Sequence, residues 1–228
     1  SVALVLCRNG LIAPASRVVW PASEDDATLF EVLVDGLLIA DVDTVGLYCP
    51  SLRDACTPLD VDCAVRVLQE VEPETLGVLA EDLLDWLNRN LTATVDRPTK
   101  EQVAALPIFP TATGFEALTR LSLPNDFRDP IAVASLVADN IVRDYHKLLT
   151  DLGARPLDIV EYFRLHAVPA AHSGRLSGTQ ARELLRLMAV HQEALSPLRD
   201  MLATTELVPC TDGVLHPAPD VHLPSPEI

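Results

Sequence analysis

"LPIFPTATGFEALTRLSLP", Leu106–Pro124, runs apolar residues into a short polar turn and a glycine, then into a second apolar stretch that ends in proline. The chain opens on a worn copy of this phrase, "SVALVLCRNGLIAPASRVVWP" (Ser1–Pro21), and closes on another, "ELVPCTDGVLHPAPDVHLPSPEI" (Glu206–Ile228). The glycines stand at 10, 114 and 213, which are 104 and 99 residues apart, and the closing prolines follow them by 11, 10 and 11 residues. Each copy has the form of a β-hairpin. Asn9-Gly10 and Asp212-Gly213 are turn signals because these pairs tolerate the positive φ angles of tight hairpins. A period near 100 residues is longer than that of common solenoids, so a whole small domain is being repeated.

Between the hairpins the pattern is mostly helical. Glu74 to Leu91 places Leu76, Leu79, Leu83, Trp86 and Leu87 on one stripe at steps of three and four, which predicts one amphipathic helix. Thr99 and Gln102 form a capping-box pattern for a short helix running into the second hairpin. Asp129 and Pro130 read as the cap and first residue of another helix. A further helix, from about Asp139 to Leu152, should stop at Gly153. Pro156 to His166 carries Ile159, Val160, Phe163 and His166 on a face and should end before Pro169. Gly178 to Gln192 gives a long amphipathic helix, and Ser196-Pro197 starts one more. Ala27 to Asp43 and Leu59 to Val71 read as helices, with Thr92–Pro98 and Ala170–Gly178 as loops. The expected fold class is therefore α+β, with small β-hairpin elements recurring about every 100 residues between amphipathic helices. Residues 1–24 read as the closing hairpin of a preceding repeat, 25–105 as a mostly helical segment, and 106–228 as one repeat unit of hairpin, helices and hairpin.

Composition narrows the function. Seventeen basic against 33 acidic residues give a formal charge of −16, which repels nucleic acid and anionic membranes alike. The apolar runs fall well short of the roughly 20 residues that span a bilayer. Only 4% of residues are aromatic, so the core is built from Leu, Val, Ala and Ile. Five cysteines cannot close a disulfide framework, and reduced thiols in the cytoplasm are the expectation. The start on Ser1, within a strand pattern, suggests a fragment of something longer.

No residue set carries recognisable chemistry. Cys49, Cys56 and Cys63 are each separated by six residues, whereas zinc sites pair their ligands two to four residues apart so that one turn aims both thiolates. His166 with His172, and His216 with His222, lack supporting carboxylates, and Pro217 and Pro219 interrupt the second pair. His172-Ser173-Gly174 sets a serine beside a histidine without the strained elbow a nucleophile needs. No phosphate-cradling glycine loop is present, and acidic groups such as Glu24-Asp25-Asp26 and Glu81-Asp82 read as solvated faces or helix N-termini. We therefore expect no catalytic residue, no cofactor and no metal.

Three strings in order, "LPIFPTATGFEALTRLSLP" (Leu106–Pro124), "LLTDLGARPLDIVEYFRLHAVP" (Leu148–Pro169) and "LVPCTDGVLHPAPDVHLPSP" (Leu207–Pro226), resemble the repeat region of sacsin and its bacterial relatives. The likeness covers Leu106 to Pro226 and, as the tail of a preceding unit, Val2 to Pro21, whereas residues 25–98 match weakly. Those are large proteins in which an Hsp90-type ATPase fold is followed by long repeat segments. The resemblance implies a non-catalytic, chaperone-like or scaffolding module that contacts protein clients or other domains of the same polypeptide. It carries no ATP-binding residue onto this chain. Two rival readings stay open: an enzyme whose site is assembled from loops, using Asp212, His216 or His172, and a standalone dimeric interaction domain whose hairpins pair between chains by edge-strand addition.

Overall fold

The computed structural model describes residues 3–125, 127, 129–132 and 135–222. Val2 and the closing prolines Pro224 and Pro226 lie outside the described residues. The chain begins with an antiparallel hairpin, β1 (Leu4–Leu6) and β2 (Ile12–Pro14), followed by a 3-10 turn at Ala15–Arg17 and by β3 (Val19–Trp20). Next come α1 (Glu24–Leu33), α2 (Val42–Tyr48), a 3-10 segment at Pro50–Ala55 and β4 (Thr57–Pro58), which pairs parallel with β3. Four helices follow: α3 (Val61–Leu68), α4 (Pro73–Val78), α5 (Ala80–Asn90) and α6 (Arg97–Ala104). The second hairpin, β5 (Phe109–Pro110) and β6 (Phe115–Glu116), leads through a 3-10 turn at Leu118–Arg120 to α7 (Asp139–Asp151). Then α8 (Ile159–Tyr162), a π-helical turn at Phe163–Ala167, α9 (Val168–His172), α10 (Gly178–Val190) and α11 (Arg199–Thr204) precede the third hairpin. That hairpin is β7 (Val208–Pro209) with β8 (Leu215–His216), and a 3-10 turn follows at Ala218–Asp220. The class is α+β, as the hairpin phrase and the helical periodicity require.

Two compact units divide the chain: Ser1–Leu121 with Val137–Ala154, and Ser122–Leu136 with Arg155–Ile228. In the first, Val5, Cys7, Ala13, Ala15, Val18 and Trp20 pack with Ala40, Val45 and Cys56. Its helical part buries Leu83, Leu84, Trp86 and Leu87 of α5, with the Trp86 ring edge-on to Phe30 at 5.1 Å. The second unit centres on Tyr162 and Phe163, set against Phe127, Leu184, Leu202 and Leu207. Each such side chain contributes roughly 1.5–3 kcal/mol by leaving water.

Several predicted helix boundaries move, each for a local reason. The stripe over residues 74–91 is two helices, because Leu79 (φ −110°, ψ 21°) breaks the turn just after Gly77, the weakest helix former in the run. The cap of α6 is Asp96, whose Oδ1 accepts the Thr99 amide at 2.9 Å, so Thr99 lies inside the first turn and is buried. Pro98 fits there because the first helical N–H groups have no intrahelical partner. Asp129 and Pro130 start a turn rather than a helix, and Asp129 Oδ1 accepts the amides of Ile131 and Ala132. Ala132 then takes a left-handed φ of 51° and ends the turn. Ala27–Asp43 is helical only in part: α1 ends at Leu33, Gly36 turns the chain with a φ of 74°, and Leu38 to Ala40 run extended.

Pro169 does not end its helix. The chain widens into the π turn ahead of it, where the Val168 amide donates to the Phe163 carbonyl five residues back. The wider turn accommodates a proline that has no N–H and whose ring crowds the preceding carbonyls. α9 then closes at Gly174, whose amide bonds to the Ala171 carbonyl while the Arg175 amide reaches Ala170. The same pair of bonds, Gly153 to Thr150 and Ala154 to Leu149, closes α7 where the glycine signal placed its end.

Candidate functional site

The three hairpins are built alike and differ in one detail. In the first, the Gly10 amide closes on the Cys7 carbonyl, and Asn9 Oδ1 accepts the Leu11 amide at 3.1 Å. In the third, Gly213 closes on Cys210, and Asp212 Oδ1 accepts the Val214 amide at 3.0 Å. Both glycines have φ of 80°, which a side chain would strain. The second hairpin is one residue tighter: the Thr111 amide bonds directly to the Gly114 carbonyl at 2.7 Å, and Pro110 faces Phe115. That shorter return accounts for the glycine-to-proline spacing of 10 in the middle copy against 11 in the others.

The strand after the hairpin is repeated as well. After the first, Val19 lies between two parallel partners, Ile39 on one side and Thr57 on the other. The Val19 amide donates to Leu38, and the Thr57 and Leu59 amides donate to Val18 and Trp20. After the second, Ser122 bridges Leu136 and Leu123 bridges Pro156, again in parallel. The Ser122 amide donates to Ser135, and the Leu157 amide donates to Leu123. In both copies the outer partner leads into a helix capped by aspartate. Asp60 Oδ1 accepts the Cys63 amide at 2.9 Å, and Asp158 Oδ1 accepts those of Val160 and Glu161 at 2.9 Å each.

The hairpins are themselves receptors for the inner partner. Leu6 accepts the Asp41 amide at 3.0 Å and the Arg8 amide donates to Ile39 at 2.9 Å, while Pro110 accepts the Ala138 amide at 2.9 Å. In these two copies, therefore, a hairpin edge and the strand after it hold extended chain that comes later in the sequence. The signal that finds this region is the tripeptide Pro-Leu-Asp at 58–60 and again at 156–158, with Leu-Ile-Ala-Asp at 38–41 echoed by Leu-Val-Ala-Asp at 136–139. Sequence reasoning missed both, because the repeat was tracked by its glycines.

The residues singled out for chemistry stay apart, with one exception. Cys49 is exposed while Cys56 and Cys63 are buried, and burial pushes the thiols of Cys7, Cys56 and Cys63 above their ordinary value. Raised thiols are poor nucleophiles and poor metal ligands. No group of three His, Cys, Asp or Glu side chains that could hold a metal occurs among the described residues. His166 packs on Tyr162 with ring centroids 5.9 Å apart, and His172 ends α9, where Ser173 hydrogen-bonds the Ala170 carbonyl instead of the imidazole. Asp212 and His216 do meet: Oδ2 and Nε2 are 2.8 Å apart across the third hairpin. The Val214 amide, then His216, hold the Asp212 carboxyl below its usual range. The pair braces an exposed turn.

Among the described residues no helix is long and apolar enough to cross a membrane. Comparison of the chain with protein-family models, with curated proteins and with solved structures returned no match.

Proposed function

We propose that this chain is a non-catalytic repeat module of a larger, cytoplasmic, sacsin-like protein that carries an Hsp90-type ATPase elsewhere. In this reading it binds protein clients or sibling domains, and backbone pairing at the hairpin edges supplies the contacts. The observation that supports it is the repeated acceptor geometry: in two successive copies the hairpin and the strand after it take up extended chain. Edge pairing of this kind gains affinity from main-chain hydrogen bonds and selectivity from alternate side chains. Pull-down of purified ATPase domain and of unfolded client proteins by the 228-residue chain is the test. Capture of either supports the role; capture of neither overturns it.

A catalytic reading has one observation on its side, the meeting of Asp212 and His216. A thermal-shift screen with nucleotides and divalent metals separates the two readings. The module reading expects no shift, whereas a large shift that disappears in His216→Ala would favour an enzyme.

A further inference from the structure

We infer that the third hairpin is an acceptor for one kind of ligand: an extended apolar segment of the Leu-Leu-Ile-Ala-Asp type that runs into a short helix, the chemistry of residues 37–48 of this chain. The inference deepens the module reading and rests on it.

The hydrogen-bonding groups come first. In the first hairpin the Leu6 carbonyl and the Arg8 amide point outward and are taken by Asp41 and Ile39. In the second, the Pro110 carbonyl is taken by Ala138. Matching the turn glycines places Pro209 and Thr211 at these positions in the third hairpin. No backbone bond joins the Pro209 carbonyl or the Thr211 amide to another element among the described residues. A strand edge with open groups is a template for added chain.

Burial points the same way. Ala15 and Leu118 begin the first two 3-10 turns and are 3% and 4% exposed, whereas Ala218, at the same place in the third, is exposed. Val18 and Leu121 follow those turns and are buried; Val221 is only half-buried. In the first copy, the covering side chains are Leu38, Ala40, Val42, Val45, Leu52 and Cys56, which come from the extended segment, α2 and the chain up to β4. At the third copy there is instead a cavity of about 600 Å³ lined by Met188, Leu195, Leu202, Ala203 and Ala218. Gln192, Glu193, Ser196 and Arg199 add polar groups to this mainly apolar lining, the 3-10 turn contributes Ala218, and the open hairpin edge belongs to the same unit. The first two copies thus identify the chemistry of what fills the third.

The probe is a labelled synthetic peptide of sequence GLLIADVDTVGLY, residues 36–48, titrated with the full 228-residue chain and followed by fluorescence anisotropy. A scrambled peptide is the control. Saturable one-to-one binding is expected, together with slowed hydrogen exchange at the Thr211 amide. Thr211→Pro should weaken binding by about tenfold, the loss of one backbone hydrogen bond. Proline fits the second position of a turn closed by Gly213 on Cys210, so the hairpin is retained. Ala218→Asp, which places a charge on the cavity wall, should weaken binding without lowering the thermal midpoint. Absence of binding at millimolar peptide, or binding indifferent to both substitutions, overturns the inference. So does a dimer of the chain that Thr211→Pro dissociates, because a second copy would then be the occupant. Failure of the peptide with client capture intact removes this inference alone and leaves the module reading standing.

Discussion

The hydroxyl of Tyr162 donates to Asp129 Oδ1 at 2.6 Å, and the same oxygen accepts the amides of Ile131 and Ala132 at 3.0 Å each. Tyr162 is fully buried between Phe127 and Phe163, with ring centroids 5.3 and 5.8 Å away, so this bond fixes the Asp129 turn onto the core of the second unit. Tyr162→Phe keeps the ring and removes the bond. It should cost about 1.5–3 kcal/mol, the range for hydrogen bonds to a charged partner. Urea denaturation gives the value, and an unchanged midpoint would show that the turn is held by packing alone.

Alkaline pH tests the same bond by a different route. Burial, followed by the hydrogen bond and charge of Asp129, pushes the Tyr162 phenol above its ordinary 10.0. Burial and Asp85, whose Oδ1 accepts the Tyr145 hydroxyl at 2.7 Å, do the same to Tyr145. Folding raises both pKa values, so their contribution to stability is complete below the unfolded value near 10.0 and is lost as pH climbs above it. The thermal midpoint should fall steeply above about pH 10, and less steeply in Tyr162→Phe. Equal slopes in the two proteins would rule out this linkage.

Gly77 and Phe115 should be coupled. A β-carbon on Gly77 would sit 2.8 Å from Phe115 Cδ2, closer than real contacts allow. Gly77→Ala gains up to about 1 kcal/mol of helix propensity in α4 but must displace the ring, which is 43% exposed and can move. The substitution should therefore be neutral or destabilising by itself and stabilising in a Phe115→Ala background. A double-mutant cycle should return a coupling of about 0.5 kcal/mol or more. A value near zero would mean that the ring does not rest on the glycine.

The hairpins, the amphipathic helices and the glycine that ends α7 were legible because each rests on a local rule: a turn glycine, a three-four stripe, a left-handed stop. The strand pairing was not legible. β3, β4 and the Ile39 and Leu136 bridges are one- or two-residue contacts, too short to leave an alternating pattern, and their partners lie 14 to 38 residues away. Leu37–Asp41 reads as helix by composition and is held extended only because Val19 and the first hairpin bond to it on both sides. Local propensity loses there to tertiary hydrogen bonds. The open edge of the third hairpin was hidden for the same reason, since an acceptor is recognised only when its occupied relatives are seen.

The cap of α7 differs from that of α2 in a way that can be tested. Asp41 caps α2, its Oδ1 accepting the Thr44 amide at 3.0 Å. Ala138 stands at the cap of α7 in an extended conformation (φ −61°, ψ 140°), has no side-chain acceptor, and is followed by Asp139 inside the helix. The echoed tetrapeptides, Leu-Ile-Ala-Asp and Leu-Val-Ala-Asp, are thus used one position out of step. Ala138→Ser should stabilise the chain by about 1 kcal/mol by supplying the acceptor. No gain in denaturation midpoint would show that the first-turn amides of α7 are already satisfied.

The repeated Pro-Leu-Asp is expected to do equal work at its two positions. Asp60 and Asp158 each follow a residue paired beside the strand after a hairpin, and each caps the next helix through Oδ1. Asp158 accepts two amides where Asp60 accepts one, and α8 is only one turn of helix before the π segment, so it depends more on its cap. Asp60→Ala and Asp158→Ala should each lower stability by about 0.5–2 kcal/mol, with Asp158→Ala the larger. Asparagine at either position retains the acceptor and should restore most of the loss. The two substitutions lie in different compact units and share no partner, so their effects should add in the double variant to within about 0.5 kcal/mol. A loss at one position without the other would show that the tripeptide is structurally equivalent in sequence only.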